Sequence, residues 1–431
     1  MNTQLNDPEI VRGTLLAAII GDALGTPFEG LGKAHLHAVF RDLDGYTDPE
    51  PALKGHLDRW RKPGLYSSIS QLMLLYAGAL TARRRDPVSA FSGLVRAAPA
   101  VEGGMFGPFR HAGAAERGML ERLMSADTGH RMLDSLPCAR PVAGIVPLGL
   151  FAGEDEPVPT LARAAALWSR ERFTASGAII GASILRRAVR DRGEAGGGLL
   201  KAAVLETGMV IADLDENSPG LFSLGFNPDS LLDAARLFEA ALRAASAARD
   251  IAAAETAIIR IVNTILKTPV TRATVNHPLC VLPFALAYAR FFSDAPVTGL
   301  LHAVMEGGSC ASLAALAAAY LAAAHGTGWI PEGIFEGIIN KSRITALCES
   351  LARGRVGETE LSEFIAAEAG LTRKELQELG GRTRHFSPKT KKQLTRTQAE
   401  ERIARITVES WTKADRAKWK KDKKNYDKHQ E

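Results

Sequence analysis

The chain has 431 residues, 46% hydrophobic and 23% charged, the balance of a soluble globular protein. Alanine and leucine dominate and aromatics make up only 6%, which favours helices over a β-sandwich. The net charge of +5 is uneven: from Arg373 onward there are 18 Lys/Arg against 9 Asp/Glu, a surplus of +9, so the preceding body carries −4.

Residues 1–7 are polar and do not lead from a basic segment into an apolar core, so no secretory signal is expected. Pro8 to Ile20 places Ile10, Val11, Leu15, Leu16 and Ile19 at helical spacing and predicts a helix ending at Gly21. Ser68 to Ala82 is a second apolar helix, bounded by Pro63-Gly64. Thr160 to Val189 is long enough for one bent helix or two. Asp229 to Leu266, Val281 to Phe292 and Ser309 to Ala324 repeat the three-to-four spacing. Leu313 to Ala324 is too short to span a bilayer. The connections carry glycine and proline, at Gly103-Gly104, Gly196 to Gly198, Ser218-Pro219-Gly220 and Thr327 to Pro331. There is no run of alternating strands and no fixed-period repeat, which excludes a solenoid. Cys138, Cys280, Cys310 and Cys348 are scattered without zinc-like spacing, so free thiols in a reducing cytoplasm are expected.

Beyond Gly354 the texture changes. Thr359 to Ala369 predicts a helix and Gly370-Leu371-Thr372 a turn. Thr372 with Glu375 reads as a capping box for a second short helix ending at Gly380-Gly381. Ala366, Gly370 and Leu376 have the spacing of a helix-turn-helix, with an ordinary αα-hairpin as the plainer alternative. The expected division is therefore 1–354 for the main domain, 355–385 for a helical hairpin and 386–431 for a basic tail.

Three stretches carry a family resemblance. The first is Gly13-Thr-Leu-Leu-Ala-Ala-Ile-Ile-Gly-Asp-Ala-Leu-Gly-Thr-Pro-Phe-Glu-Gly30. The second is Gly64-Leu-Tyr-Ser-Ser-Ile-Ser-Gln-Leu-Met-Leu-Leu75. The third is Glu306-Gly-Gly-Ser-Cys-Ala-Ser-Leu-Ala-Ala-Leu316, leading to Gly326-Thr-Gly-Trp-Ile-Pro331. Together they resemble the ADP-ribosylglycohydrolases, including the dinitrogenase reductase-activating type. The resemblance covers about residues 9 to 350. It implies an all-α orthogonal helical domain, here with a basic helical C-terminal extension, and a cleft holding a magnesium pair on about four aspartates.

The flanks fit that pattern and the ligands do not. Where the family has Thr-Asp-Asp this chain has Ser67-Ser68-Ile69, between Tyr66 and Ser70-Gln71. Where it has Asp-Thr-Asp-Thr, this chain has Ser309-Cys310-Ala311-Ser312. Magnesium binds hard oxygen ligands whose charge comes mostly from carboxylates, so the family magnesium pair is expected to be absent and no metal site is assigned. A further family segment corresponds to Ala139-Arg-Pro-Val-Ala-Gly-Ile-Val-Pro-Leu-Gly149, which keeps Pro147-Leu148-Gly149 but no match to the family's polar Asn and Arg. A Thr-His pair expected after the next helix corresponds to Ser169-Arg170. Glu29 matches the family glutamate near the scissile bond, and Asp22 lies in the preceding turn as either a catalytic or a capping carboxylate.

Other chemistries find little support. Cys310, at a loop-to-helix start, could have a lowered thiol pKa, though an inert buried thiol is the commoner outcome. His111 and His130 have no partner at metal spacing. The tail is basic and aromatic: Arg382, Arg384, Lys389, Lys391 and Lys392 precede Trp411, Trp419, Lys420 and Lys421. That pattern suits nucleic acid or an acidic partner, with a solvated or docked helix as the alternative.

Three functional expectations follow. The first is a non-hydrolytic binding or regulatory member of the fold, cytoplasmic, with no membrane role and a cleft for a nucleotide-like ligand. The second is altered, metal-independent chemistry through Glu29 or Asp22. The third is a nucleic-acid or ribonucleoprotein partner acting through the tail.

Overall fold

A computed structural model of the chain describes residues 7–82, 86–124, 136–152, 157–192 and 195–385. Among these it forms eighteen α-helices and no strand beyond isolated bridges, the all-α class expected from composition. In chain order they are α1 (Pro8–Gly25), α2 (Lys33–Phe40), α3 (Ser68–Ala82), α4 (Pro87–Arg96), α5 (Ala114–Met124), α6 (Ala139–Ile145), α7 (Pro157–Trp168), α8 (Arg172–Arg190) and α9 (Ala195–Glu216). There follow α10 (Ser218–Ser223), α11 (Pro228–Ser246), α12 (Ile251–Val262), α13 (Pro278–Phe291), α14 (Pro296–Met305), α15 (Cys310–His325), α16 (Glu332–Glu336), α17 (Lys341–Ala352) and α18 (Glu358–His385).

The two long helical stretches of the sequence each resolve into two helices, α7 with α8 and α11 with α12, separated by capping carboxylates. Glu171 accepts from the N–H groups of Phe173 and Thr174 at 3.1 and 2.8 Å, and Asp250 from that of Ala253 at 2.8 Å. Each satisfies backbone donors that a helix start leaves orphaned. Gly196 to Gly198 do not form a separate loop but lie in the opening turn of α9.

α15 is the central helix. It is buried from Cys310 through Ala324 and packs against α1, α8, α13 and α14. Alanines fill most of its length between Leu313, Leu316, Tyr320 and Leu321, so neighbouring backbones can close in where they face it. α1 exploits this most. It does not end at Gly21 but runs on to Gly25, because both glycines face α15. A Cβ on Gly21 would lie 2.3 Å from the Ala314 carbonyl oxygen, and one on Gly25 2.5 Å from the Ala311 Cα. By length and composition Pro8–Phe28 could cross a membrane, but 89% of its apolar window is buried within the fold.

The expected hairpin at 355–385 is replaced by one continuous helix, α18. Gly370 is absorbed as an interior helical residue with open space around it. Thr372 is no cap: its hydroxyl donates to the Glu368 carbonyl one turn back at 3.0 Å and to Pro108 O at 2.8 Å. The side chains that suggested a capping box are spent on tertiary contacts, which override the local turn signal. The tail, 386–431, lies outside the described residues.

Candidate functional site

The three motif segments, far apart in sequence, meet at one place. Asp22, in the last turns of α1, is fully buried and aims at the start of α3. Its Oδ1 accepts from the hydroxyls of Thr26 (2.9 Å) and Ser67 (2.8 Å). Its Oδ2 accepts from the N–H of Ser67 (2.9 Å) and from the N–H and hydroxyl of Ser70 (3.2 and 2.7 Å). A carboxylate from one helix thus caps the N-terminus of another, where backbone donors and the helix dipole favour negative charge. The first and third segments are joined by backbone. Gly30 N–H donates to Gly308 O at 2.7 Å, Gly308 N–H to Leu31 O at 2.8 Å, and Ser309 N–H to Thr274 O at 2.8 Å. Gly307 and Gly308 take φ of +65° and +59°, and a Cβ on either would strike Leu31 O or Thr274 O at 2.2 and 2.4 Å. Glycine is required at both positions.

At the meeting point stands Arg140, from the first turn of α6, only 3% exposed. Its Nε donates to Glu116 Oε2 at 2.7 Å and its Nη1 to Glu29 Oε2 at 2.8 Å. Its Nη2 donates to the hydroxyls of Ser67 at 3.0 Å and Ser68 at 3.1 Å. The same Glu116 oxygen also receives the Ser68 hydroxyl at 3.0 Å and Gly113 N–H at 2.6 Å. Burial alone would lower the Arg140 guanidinium, but Glu116, Glu29 and Asp22 outweigh it and hold its charge above the ordinary range. Glu29 sits on the open side of the cluster, with 17% of its side chain exposed and Arg61 Nη1 3.9 Å away. Arg61 also donates to Thr26 O at 3.1 Å.

A second buried network lies beside the first. Glu368 of α18 and Arg110 form an ion pair at 2.5 Å, each side chain 2% exposed. Glu368 also accepts from Tyr66 Oη (2.5 Å), Gln71 Nε2 (2.8 Å) and Asn340 Nδ2 (3.1 Å). Arg110 reaches Tyr66 O at 2.8 Å and the Thr372 hydroxyl at 3.2 Å. Tyr66 and Gln71, which flank the second motif, are therefore anchors for α18. Further along that helix, Glu375 accepts from His111 Nε2 and Lys62 N–H, both at 2.9 Å. Burial pushes its carboxyl up, but His111, Arg110 and the Lys62 N–H prevail and bring it down to about 2. Glu378 pairs with Lys62 Nζ. Arg382 pairs with Asp48 (2.9 Å) and Glu50 and lies 4.2 Å over the Trp60 ring.

The predicted site residues therefore divide. Glu29, Asp22, Ser67, Ser68 and Ser70 share the network of Asp22 and Arg140, and Tyr66 belongs to the adjoining one around Glu368. Ile69 and Ala311 are buried among core side chains, Ala311 directly behind Gly25. Ser309 is 5% exposed, and the Ser312 hydroxyl is buried without a partner. The Cys310 thiol donates to Gly25 O at 3.3 Å, and burial pushes it well up, so it is an unreactive thiol. All four cysteines are free and buried. His111 is a structural partner of Glu375. Arg382, expected among the nucleic-acid contacts, is instead engaged by two carboxylates and a tryptophan. Arg384 lies within α18, and nothing is described of its side chain. His130, Lys389, Lys391, Lys392, Trp411, Trp419, Lys420 and Lys421 lie outside the described residues. The sequence reading missed Arg140, Glu116, Arg110 and Glu368. The available signal was a charged residue isolated in an apolar run, as in Ala139-Arg-Pro-Val-Ala-Gly-Ile-Val, since burial demands that such a charge be paired.

An all-helical body whose three motif segments close on one polar centre defines a fold and a site together. The sequence model of the ADP-ribosylglycohydrolase family matches residues 3–360, and the chain belongs to that family. A solved structure described as an ADP-ribosylglycohydrolase-related protein complex is similar over 81% of this chain and 99% of that chain, with a TM-score of 0.50 and 19% identity; this likeness concerns the fold. Among curated proteins none matches by sequence. The family match ends at residue 360, so nearly all of α18, which grips the site's second motif, lies beyond it.

Proposed function

We propose that this protein is a non-hydrolytic member of the ADP-ribosylglycohydrolase family, acting as a binding or regulatory protein through the polar centre at Glu29. The supporting observation is the Arg140 guanidinium, held between Glu29, Glu116, Ser67 and Ser68 at 2.7–3.1 Å. The positions matching the family's metal carboxylates offer two hydroxyls, Ser68 and Ser309, an isoleucine and an alanine. Glu116, which accepts from Ser68, and Glu29 are already paired with the Arg140 cation. A divalent ion there would meet too few charged oxygens and an adjacent positive charge. These residues do not fit a magnesium pair, and water activation loses its main source with it.

A second reading, metal-independent chemistry, is favoured by the partial exposure of Glu29. Asp22 does not share that role, because five donors already engage its two oxygens. Both readings meet in one assay. Peptides carrying ADP-ribosylated arginine or serine, incubated with the full-length protein with and without magnesium, are expected to release no ADP-ribose above background. Release that survives chelation and is lost in Glu29→Gln would establish the second reading. Release that requires magnesium would contradict both.

A further inference from the structure

We infer that the polar centre of this fold is a cation-binding cradle whose cation is supplied by the chain itself, as the Arg140 guanidinium. The inference rests on the proposed non-hydrolytic reading, and it specifies what has taken over the charge. Glu116 is 1% exposed and Arg140 3%, so neither charge is stabilised by bulk water. A buried carboxylate in that position requires a positive partner. The cradle matches a planar guanidinium in detail. Three of its nitrogen positions face acceptors in different directions, two of them carboxylates and one a pair of serine hydroxyls. Ser67 and Ser68 are oriented to accept, because each donates its own hydroxyl proton away, to Asp22 at 2.8 Å and Glu116 at 3.0 Å. A compact ammonium or a bare metal ion would reach part of this set, whereas a planar fork reaches all of it. Arg140 is also fixed from behind: the Ala139 N–H, at the start of α6, donates to Asn276 Oδ1 at 2.9 Å.

The test is chemical rescue of the full-length protein, read as thermal unfolding. Arg140→Ala is expected to lower the Tm by roughly 5–10 °C, because it strands Glu116. Millimolar guanidinium chloride should then raise the variant's Tm saturably, while matched sodium chloride does not, because a ligand that binds only the folded state stabilises it by mass action. The wild-type protein should not respond, its cradle being filled. Glu116→Gln in the Arg140→Ala background should restore part of the lost Tm and weaken the rescue. Should Arg140→Ala fail to fold, Arg140→Met paired with Glu116→Gln is expected to fold where Arg140→Met alone does not. An unchanged Tm in Arg140→Ala, no saturable rescue in the variant, an equal response of the wild type, or failure of single and double variants alike would overturn the inference. The peptide assay is independent of this result. Rescue accompanied by turnover would remove the non-hydrolytic reading and leave the tethered cation standing, and absence of both would do the reverse.

Discussion

Arg110→Ala is expected to cost about 3–5 kcal/mol of folding stability, among the largest effects of any single substitution in the protein. The reason is the charge left behind. Glu368 and Arg110 are each 2% exposed, and without the guanidinium the carboxylate would keep only the neutral donors Tyr66, Gln71 and Asn340. Removing one member of a buried pair leaves an uncompensated charge, which costs far more than the pair itself contributes. Glu368→Gln in the Arg110→Ala background should therefore recover a substantial part of the loss. Urea unfolding of the single and double variants measures this coupling. Because Arg110 also holds Thr372, α18 should become protease-sensitive in the single variant before the rest of the molecule unfolds. Equal sensitivity of wild type and variant would show that α18 is held by other means.

Gly21→Ala is expected to destabilise by about 3 kcal/mol or more, an unusual penalty for a substitution that improves helix propensity. The added methyl would sit 2.3 Å from the Ala314 oxygen, 2.6 Å from its carbonyl carbon and 2.8 Å from the Ala315 Cα. These are backbone atoms of the central helix, so no flexible side chain can give way. Gly370→Ala makes the matched control. Nothing lies within 4 Å of that position, and the same change there should stabilise by about 0.5–1 kcal/mol through helix propensity alone. Parallel thermal unfolding of the two variants separates the effects. Similar shifts in both would mean that the crossing of α1 and α15 is looser than its geometry implies.

The helical class was legible because apolar spacing reports periodicity directly, and the start and end of α3 follow from Pro63-Gly64 and the apolar run that succeeds them. Where a local signal misleads, a tertiary contact has claimed the signalling residue. Gly21 looked like a helix end and is a packing contact. Thr372 and Glu375 looked like a capping box and are bound to Pro108, Arg110, His111 and Lys62. The motif segments themselves could be found in the sequence, since close backbone approach demands glycine at Gly307 and Gly308 whatever else changes. The partners of the site could not. Glu116 comes from a segment with no motif and Arg140 from one that keeps only Pro147-Leu148-Gly149, and only the fold reveals that an arginine 73 positions after Ser67 shares its hydrogen bonds. The same holds for Glu368, which lies 302 positions from Tyr66.

We propose that a guanidinium, and not a magnesium pair, holds the polar centre of this chain together. Calorimetric titration of the full-length protein with magnesium tests it most directly. No stoichiometric heat is expected beyond weak, nonsaturating association with surface carboxylates. Saturable binding of two magnesium ions per chain at micromolar affinity would contradict it.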